Sequence, residues 1–576
     1  MAQNLDIDWV AEFNSGTLLS GMLSSISPGQ HQLDAGTRSE LVALHNNGEI
    51  DLVVAYCALK GGGTSGHFFR LMELLGGFLP ELEDPVERVA ALVVGMTLEA
   101  GDDLLSHRLI PAFRSYCLRD ESRPELLLDQ QLEISEGEFS LLTVALICGA
   151  CFDEKAYVAK AVGLLEHESE NTICRSIYAL GEISYNKPSN ITAAVNSILA
   201  VAREKQSDQV LSSCLEALHK LSQKTPRVKT TLSKFLNEFG TEIGPCFVNT
   251  ATSILYFDRD ELQAKARSQL FAICGNIDLQ NTSSVRNLDL ALAKQIDSKD
   301  YRVAIDLMED IARNNKYGSD LSAFSNTKMH IFNNRVVLSF IVTRWLLSRN
   351  AYLGKHCTKL MKGTDEGIDL SFDKKQLSVL SQEDLVFLAR KACGRFFHFP
   401  KTALSLIASL INYAKGKHLG EIISIVFDPL YVSYPSCSDN INEFFGANRK
   451  HKKAVNSLIR RINDYKFACE NVCKINEHLP SEEQRYTYAR YEERLFSFDM
   501  EDAFQGSILG LFSNSPDYLL YGSKSISYTE HAQGVSRQVM PLHSHQHSMR
   551  WPMLFAACPN IIEYKIRGYC VEGCES

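Results

Sequence analysis

"NTICRSIYALGEIS", residues 171–184, places Ile173, Ile177, Leu180 and Ile183 at three- and four-residue steps. That spacing puts all four on one face of an α-helix, so the stretch predicts an amphipathic helix. The loop "YNKPSN" (185–190) follows, with Pro188 as the breaker and Ser189 or Asn190 as the expected cap of the next helix. "ITAAVNSILAVAREK" (191–205) then repeats the pattern through Ile191, Val195, Ile198 and Ala202. A third segment, "SDQVLSSCLEALHKLSQ" (207–223), carries Asp208 near its start and Val210, Leu211, Cys214, Leu215 and Leu218 on its apolar face. A fourth, after Pro226, has Val228, Leu232, Phe235 and Leu236.

These four segments form two helix pairs, and the pairs match each other. "SIYALGEI" and "CLEALHKL" align on Ala179-Leu180 and Ala217-Leu218, a spacing of about forty residues, which is the period of two-helix repeats. In this the chain resembles the HEAT-repeat family. "EDPVERVAALVVGMTLEAGDDLLSHRLIPAF" (83–113) is similar, with Asp84-Pro85 opening a helix, Ala90 and Ala91 at the tight helix contact, and a second helix after the Gly-Asp-Asp turn. "DSKDYRVAIDLMEDIARNN" (297–315) also resembles a HEAT unit. The resemblance implies an all-α, HEAT-like α-α superhelix, or solenoid, and brings no catalytic residue with it. Helix pairs of this kind cannot bury an apolar stripe alone and stack into a continuous core, leaving long surfaces for other macromolecules.

Around this centre, the reading divides the chain into an N-terminal helical cap region (1–82), HEAT-like repeats (83–315), a continued helical solenoid or helical domain (316–480) and a C-terminal segment (481–576). "DLVFLARKACGRFF" (384–397) and "KTALSLIASLINYAK" (401–415) carry the helical pattern into the third part. In the last part the texture changes. "NIIEYKIRGYCVE" (560–572) alternates Ile562, Tyr564 and Ile566 with Glu563, Lys565 and Arg567, a half-buried strand pattern, and "SKSISYTE" (523–530) is a fainter one. The expected tail is therefore a small mixed α/β module or capping segment.

Bulk composition fits a folded chain. With 576 residues it is too long for one simple core, and 45% hydrophobic, 22% charged and a net charge of −10 are ordinary for globular proteins. Mild acidity argues against blanket coating of nucleic acid while leaving room for a local basic groove. "MAQNLDIDWVAEF" has no basic or apolar region of a secretory signal. The apolar run "VVLSFIVTRWLL" (336–347) is too short for a bilayer and is broken by Arg344. The expectation is a cytoplasmic protein with no membrane insertion. Its sixteen cysteines, among them Cys174, Cys214 and Cys274, are expected as reduced, buried thiols.

Four motifs bear on chemistry. Gly61 to Gly66 in "ALKGGGTSGHFFRL" has the glycine spacing of a phosphate loop after a candidate strand, "DLVVAYCAL". His67 and Phe68, however, stand where the phosphate-binding Lys and the metal-binding Ser or Thr are needed. Cys148 and Cys151 form a C-x-x-C without the second pair that zinc requires, and read as packed thiols on a helix. The densest positive patch is "RKHKKAVNSLIRR", with Arg449, Lys450, Lys452, Lys453, Arg460 and Arg461. On a helix, Lys453 and Arg460 share a side and suit phosphates. Downstream, "EEQRYTYARYEERLF" interleaves arginines and tyrosines with Glu482, Glu483, Glu492 and Glu493, the pattern of an ion-paired helix.

Finally, "MPLHSHQHSMRW" (540–551) sets His543, His545 and His547 at alternate positions. On a strand they share one face and suit a borderline metal, with Cys558, Cys570 or Cys574 as further ligands. No carboxylate follows to complete a known motif. No G-x-S-x-G, H-E-x-x-H, dinucleotide or kinase signature occurs in the chain. The expectation is a non-enzymatic protein-protein interaction scaffold with no catalytic residue and no cofactor, whose partners are proteins. The alternatives are nucleic-acid binding through residues 449–461 and metal binding through the histidine cluster.

Overall fold

A computed structural model describes residues 7–26, 33–59, 66–101, 109–133, 140–240, 244–314, 321–361, 367–446, 451–472, 481, 483, 486, 490, 524–531, 534–541 and 559–574. The described chain is all-α apart from one antiparallel hairpin, β1 (Lys524–His531) with β2 (Gly534–Pro541). It forms two compact units, residues 1–291 and 292–576.

In the first unit the helices read from sequence are present: α1 (Glu170–Glu182), α2 (Pro188–Lys205), α3 (Asp208–Lys224) and α4 (Pro226–Phe239), then α5 (Pro245–Phe257) and α6 (Ala264–Ile273). Ile173, Ile177, Leu180 and Ile183 are all buried, as are Cys174, Cys214 and Cys274. α1 packs on α3, α3 on α5 and α4 on α6, and α3 also packs on α2 and α4. The α1–α3 crossing is tight because Gly181 has no side chain. A Cβ there would lie 2.7 Å from Ala217 Cα.

Close crossing brings helix ends together, and their unpaired backbone groups are satisfied by the next pair along the chain. Lys224 Nζ donates to the carbonyls of Gly181, Glu182 and Ile183, each at 2.8 Å, so the end of α3 caps the end of α1. Asp208 does the converse. Its carboxylate accepts from the amides of Gly244, Cys246 and Phe247 at 3.0, 2.7 and 3.1 Å, covering the N-terminus of α5. Ser212 and Thr250 share a hydrogen bond of 2.7 Å, Ser284 donates to Asn249 at 2.8 Å, and Arg203 pairs with Glu238 at 2.8 Å.

The second unit uses the same spacing with different chemistry. Trp345 Nε1 and Arg344 both reach Glu309, a buried carboxylate whose pKa burial pushes up against the pull of Arg344. The extended residues 368–372 lie along the helix Pro400–Leu410. Their amides find hydroxyls in place of a strand partner: Ile368 to Thr402 at 2.7 Å, Leu370 to Ser405 at 3.0 Å and Phe372 to Ser409 at 3.2 Å. Two further helices matter below, α7 (Ala351–Lys359) and α8 (Gln382–Arg395), the latter contacting α7 and the helix Gly416–Ile425. The unit also holds α9 (Lys452–Val472) and α10 (Pro559–Val571).

The structure corrects five local expectations. Residues 560–572 are not a strand. Most of them form α10, in which Ile562, Ile566, Tyr569 and Cys570 turn inward while Tyr564 is 83% exposed. "DLVVAYCAL" is likewise helical over Leu52–Cys57. Pro188 is the first residue of α2, where its missing N–H is harmless, and neither Ser189 nor Asn190 caps the helix. Ala90 is buried, but Ala91 faces solvent on the helix Val86–Ala100. Cys57, Cys151 and Cys246 are exposed, so burial does not extend to every thiol.

Gly181→Ala forces α1 away from α3 and is expected to destabilise by about 1–3 kcal/mol. Gly163 is also helical, is exposed and has open space at its Cβ position, so Gly163→Ala should stabilise by about 0.4–1 kcal/mol. Denaturant midpoints of the two variants check this, and the reverse order would refute the close-approach account.

Candidate functional site

The basic run falls on and just before α9. Arg449 and Lys450 lie outside the described residues. Lys452, Lys453, Arg460 and Arg461 are on the helix and all four are exposed. Local sequence explains this: Val455, Leu458 and Ile462 are buried at three- and four-residue steps and leave the cationic positions outward. Lys453 and Arg460 are seven residues apart, close to two helical turns, and so share a side.

Arg460 is paired only loosely, at 3.9 Å from Asp464, with both side chains mostly in solvent. Arg461 is held differently. Its guanidinium stacks 4.2 Å from the Phe427 ring centroid, and Phe427 in turn packs on Tyr431 and edge-on to Tyr465. Burial pushes the Tyr465 phenol up to about 12, with its hydrogen bond to Cys469 adding to the shift. Phe467 is 67% exposed about two turns beyond Arg460. The exposed side of α9 thus combines cations with aromatic rings, which can meet phosphates and stack on bases. Downstream, Arg490 lies over the Tyr486 ring at 5.1 Å, while the other arginines and tyrosines of 482–496 are outside the described residues.

The remaining motifs gain less. His543, His545 and His547 lie outside the described residues, and among the described residues no group of three His, Cys, Asp or Glu could hold a metal ion. Residues 61–65 of the glycine-rich loop are also outside the described residues. Phe68, in the phosphate-loop comparison the metal-ligand position, is buried in the core. Cys148 and Cys151 sit on one helix, the first buried and the second exposed. Cys148 is buried against Cys117 and held below the usual thiol range by a hydrogen bond from it, whereas burial pushes the exposed Cys151 up.

Sequence reading did not single out the paired histidines. His45 Nε2 contacts Asp84, and its Nδ1 accepts the Leu52 amide at 3.2 Å. Both ring nitrogens are therefore occupied, and the pair fastens two segments instead of offering a base. His219 and Asp258 pair at 2.9 Å across the same separation of 39 residues. His330 and Asp297, at 2.7 Å, border an open depression of about 420 Å³ that is also lined by Asn333, Asn334, Arg335 and Val336. Also unforeseen is Lys391, 3% exposed on α8 and covered by α10.

Comparison with protein-family models gives no match, and comparison with curated proteins gives none either. Among the described residues no helix is long and apolar enough to cross a membrane.

Arg460→Gln should leave stability within about 0.5 kcal/mol, as expected for an exposed pair. Arg461→Gln should cost about 0.5–1 kcal/mol through the loss of stacking on Phe427. Equal thermal midpoints for the two variants would show that stacking on Phe427 contributes nothing.

Proposed function

We propose that this chain is a HEAT-like α-solenoid that works as a non-enzymatic protein-protein interaction scaffold. The observation that carries the reading is the recurrence of polar links between residues one helix pair apart. Separations of 36 to 39 residues appear at Asp208 with Gly244, Cys246 and Phe247, and of 38 at Ser212 with Thr250. A separation of 36 appears again at Trp345 with Glu309 in the second unit. A period of this size supports tandem two-helix repeats, whose stacked helices present long, regular surfaces. The cytoplasm is the proposed setting, in keeping with many free cysteines.

The test is quantitative affinity capture of the full chain from native extract, followed by size-exclusion chromatography of the recovered material. A scaffold should co-elute with a protein partner in near-stoichiometric amount. Elution of the chain at its own mass, with no stoichiometric protein, sinks the reading.

A second reading, nucleic-acid binding, is favoured by the shared exposure of Lys452, Lys453, Arg460 and Arg461 beside Phe467 on α9. Changing all four cations to Gln should weaken binding to single-stranded DNA or RNA by tenfold or more at low salt. It should also flatten the salt dependence by about 0.7 for each phosphate that is no longer neutralised. No anisotropy change with either nucleic acid at low salt would end this reading.

A further inference from the structure

The last described helix is fastened to α8 and α7 by a cluster that the interaction reading leaves unused. Gly394 makes room for it. A Cβ on Gly394 would lie 2.9 Å from Tyr569 Cβ and 3.2 Å from Cys570 Sγ. At the far end of α10, Gly573 adopts φ +65° and turns the chain back, bringing Cys574 over α8. Lys391 Nζ then donates to the Cys570 carbonyl at 2.8 Å and to Cys574 Sγ at 3.3 Å. Arg395 donates to the same carbonyl at 3.1 Å and to Ala351 of α7 at 3.3 Å, and Arg390 pairs with Glu572 at 2.6 Å. Lys391 also lies 5.2 Å from the Phe387 ring centroid.

Lys391 is a buried ammonium whose hydrogen bonds go to a carbonyl and a thiol. Among the described residues, the side chain that accepts a hydrogen bond from this ammonium is the Cys574 sulfur, and a cation beside a thiol favours its reaction with oxidants. Cys570 sits four residues earlier, in the last turn of α10, and Cys574 Sγ donates to its carbonyl at 3.6 Å. Both thiols are half-buried, so a small oxidant has access.

We propose that Cys574 and Cys570 form a peroxide-sensitive thiol pair that unlatches α10 from α8. The Cys574 thiolate attacks one oxygen of hydrogen peroxide. The O–O bond breaks, hydroxide leaves, and Cys574 becomes a sulfenic acid. The Cys570 sulfur then attacks that sulfur, losing its proton as the hydroxyl departs, and water is released. Two thiols are thereby oxidised to one disulfide, and one peroxide is reduced to two waters.

The structural consequence follows from geometry. Cys574 lies past the end of α10, beyond the Gly573 turn, and a disulfide to Cys570 needs the two Cβ atoms about 3.5–4.5 Å apart. Closing the bond draws Cys574 Sγ off Lys391 and toward Cys570 Sγ, which lies against Gly394. The buried ammonium loses its sulfur partner and keeps one carbonyl. Docking weakens where it is fastened.

The experiment uses the full chain, treated with equimolar hydrogen peroxide and followed by peptide mass spectrometry and hydrogen exchange. The exposed thiols Cys57, Cys151 and Cys246, all pushed up by burial, are internal comparators. Cys574 should oxidise about tenfold faster than these three. The Cys570–Cys574 disulfide should then accumulate, and exchange over 559–571 should rise about tenfold until dithiothreitol restores it. Lys391→Met should slow Cys574 oxidation about tenfold, and Lys391→Arg should recover it. If Lys391→Met does not fold, the comparison among cysteines of the unaltered chain and the Cys574→Ser variant, which should show no peroxide-induced exchange, decide the matter. Oxidation of Cys574 no faster than the comparators, or a disulfide that leaves exchange over α10 unchanged, overturns the proposal.

Discussion

The approach of α1 to α3 at Gly181 and Ala217 sets the terms for the rest of the first unit. At that crossing the backbones are so close that Ala217 Cα lies 2.7 Å from where a Gly181 Cβ would stand. Helices that meet so tightly bring their ends within side-chain reach of each other. Lys224 and Asp208 can then serve helix termini that are not their own. Apolar packing and polar capping are thus one constraint seen from two sides: moving the crossing apart uncovers carbonyls and amides as well as core.

Much of this was readable in the sequence because helix phase is a local property. The buried face of α1 follows directly from Ile173, Ile177, Leu180 and Ile183, and the outward face of α9 follows from Val455, Leu458 and Ile462, whose three- and four-residue steps leave the cations outside. What failed depended on partners distant in sequence. Ile562 and Ile566 suit both a strand alternation and a helical step of four, and Tyr569, out of phase with the alternation but three and seven residues from Ile566 and Ile562, favours the helix. Lys391 lies in "ARKACGR", where Arg390 and Lys391 read as solvated charges. It is buried because α10 covers it, and nothing local announces that. Asp208 was legible as a helix-start residue, but the helix it caps is α5, not its own.

The second unit shows how the same spacing tolerates a change of material. Residues 368–372 are extended, and extended chain ordinarily needs a strand beside it. Thr402, Ser405 and Ser409 supply hydroxyls at helical steps along Pro400–Leu410, so the amides of alternate residues are met by a helix. Hydroxyl-bearing residues inside "KTALSLIASL" therefore have a reason to be there that helix propensity does not provide.

Lys224 and Lys391 use one device at two ranges. Each places an ammonium on the carbonyls that end a helix, Lys224 on Gly181 43 residues away and Lys391 on Cys570 179 residues away. Loop closure grows only with the logarithm of length, so the longer connection adds about 1 kcal/mol to the entropy opposed. Long-range docking of α10 is therefore sustainable with few contacts. The difference lies in redundancy. Lys224 meets three backbone carbonyls, which no covalent chemistry on the chain readily alters, whereas Lys391 relies on one carbonyl and one sulfur. Sulfur is the one acceptor in this set that an oxidant can change, so of the two lysine caps only that of Lys391 can respond to the redox state around it.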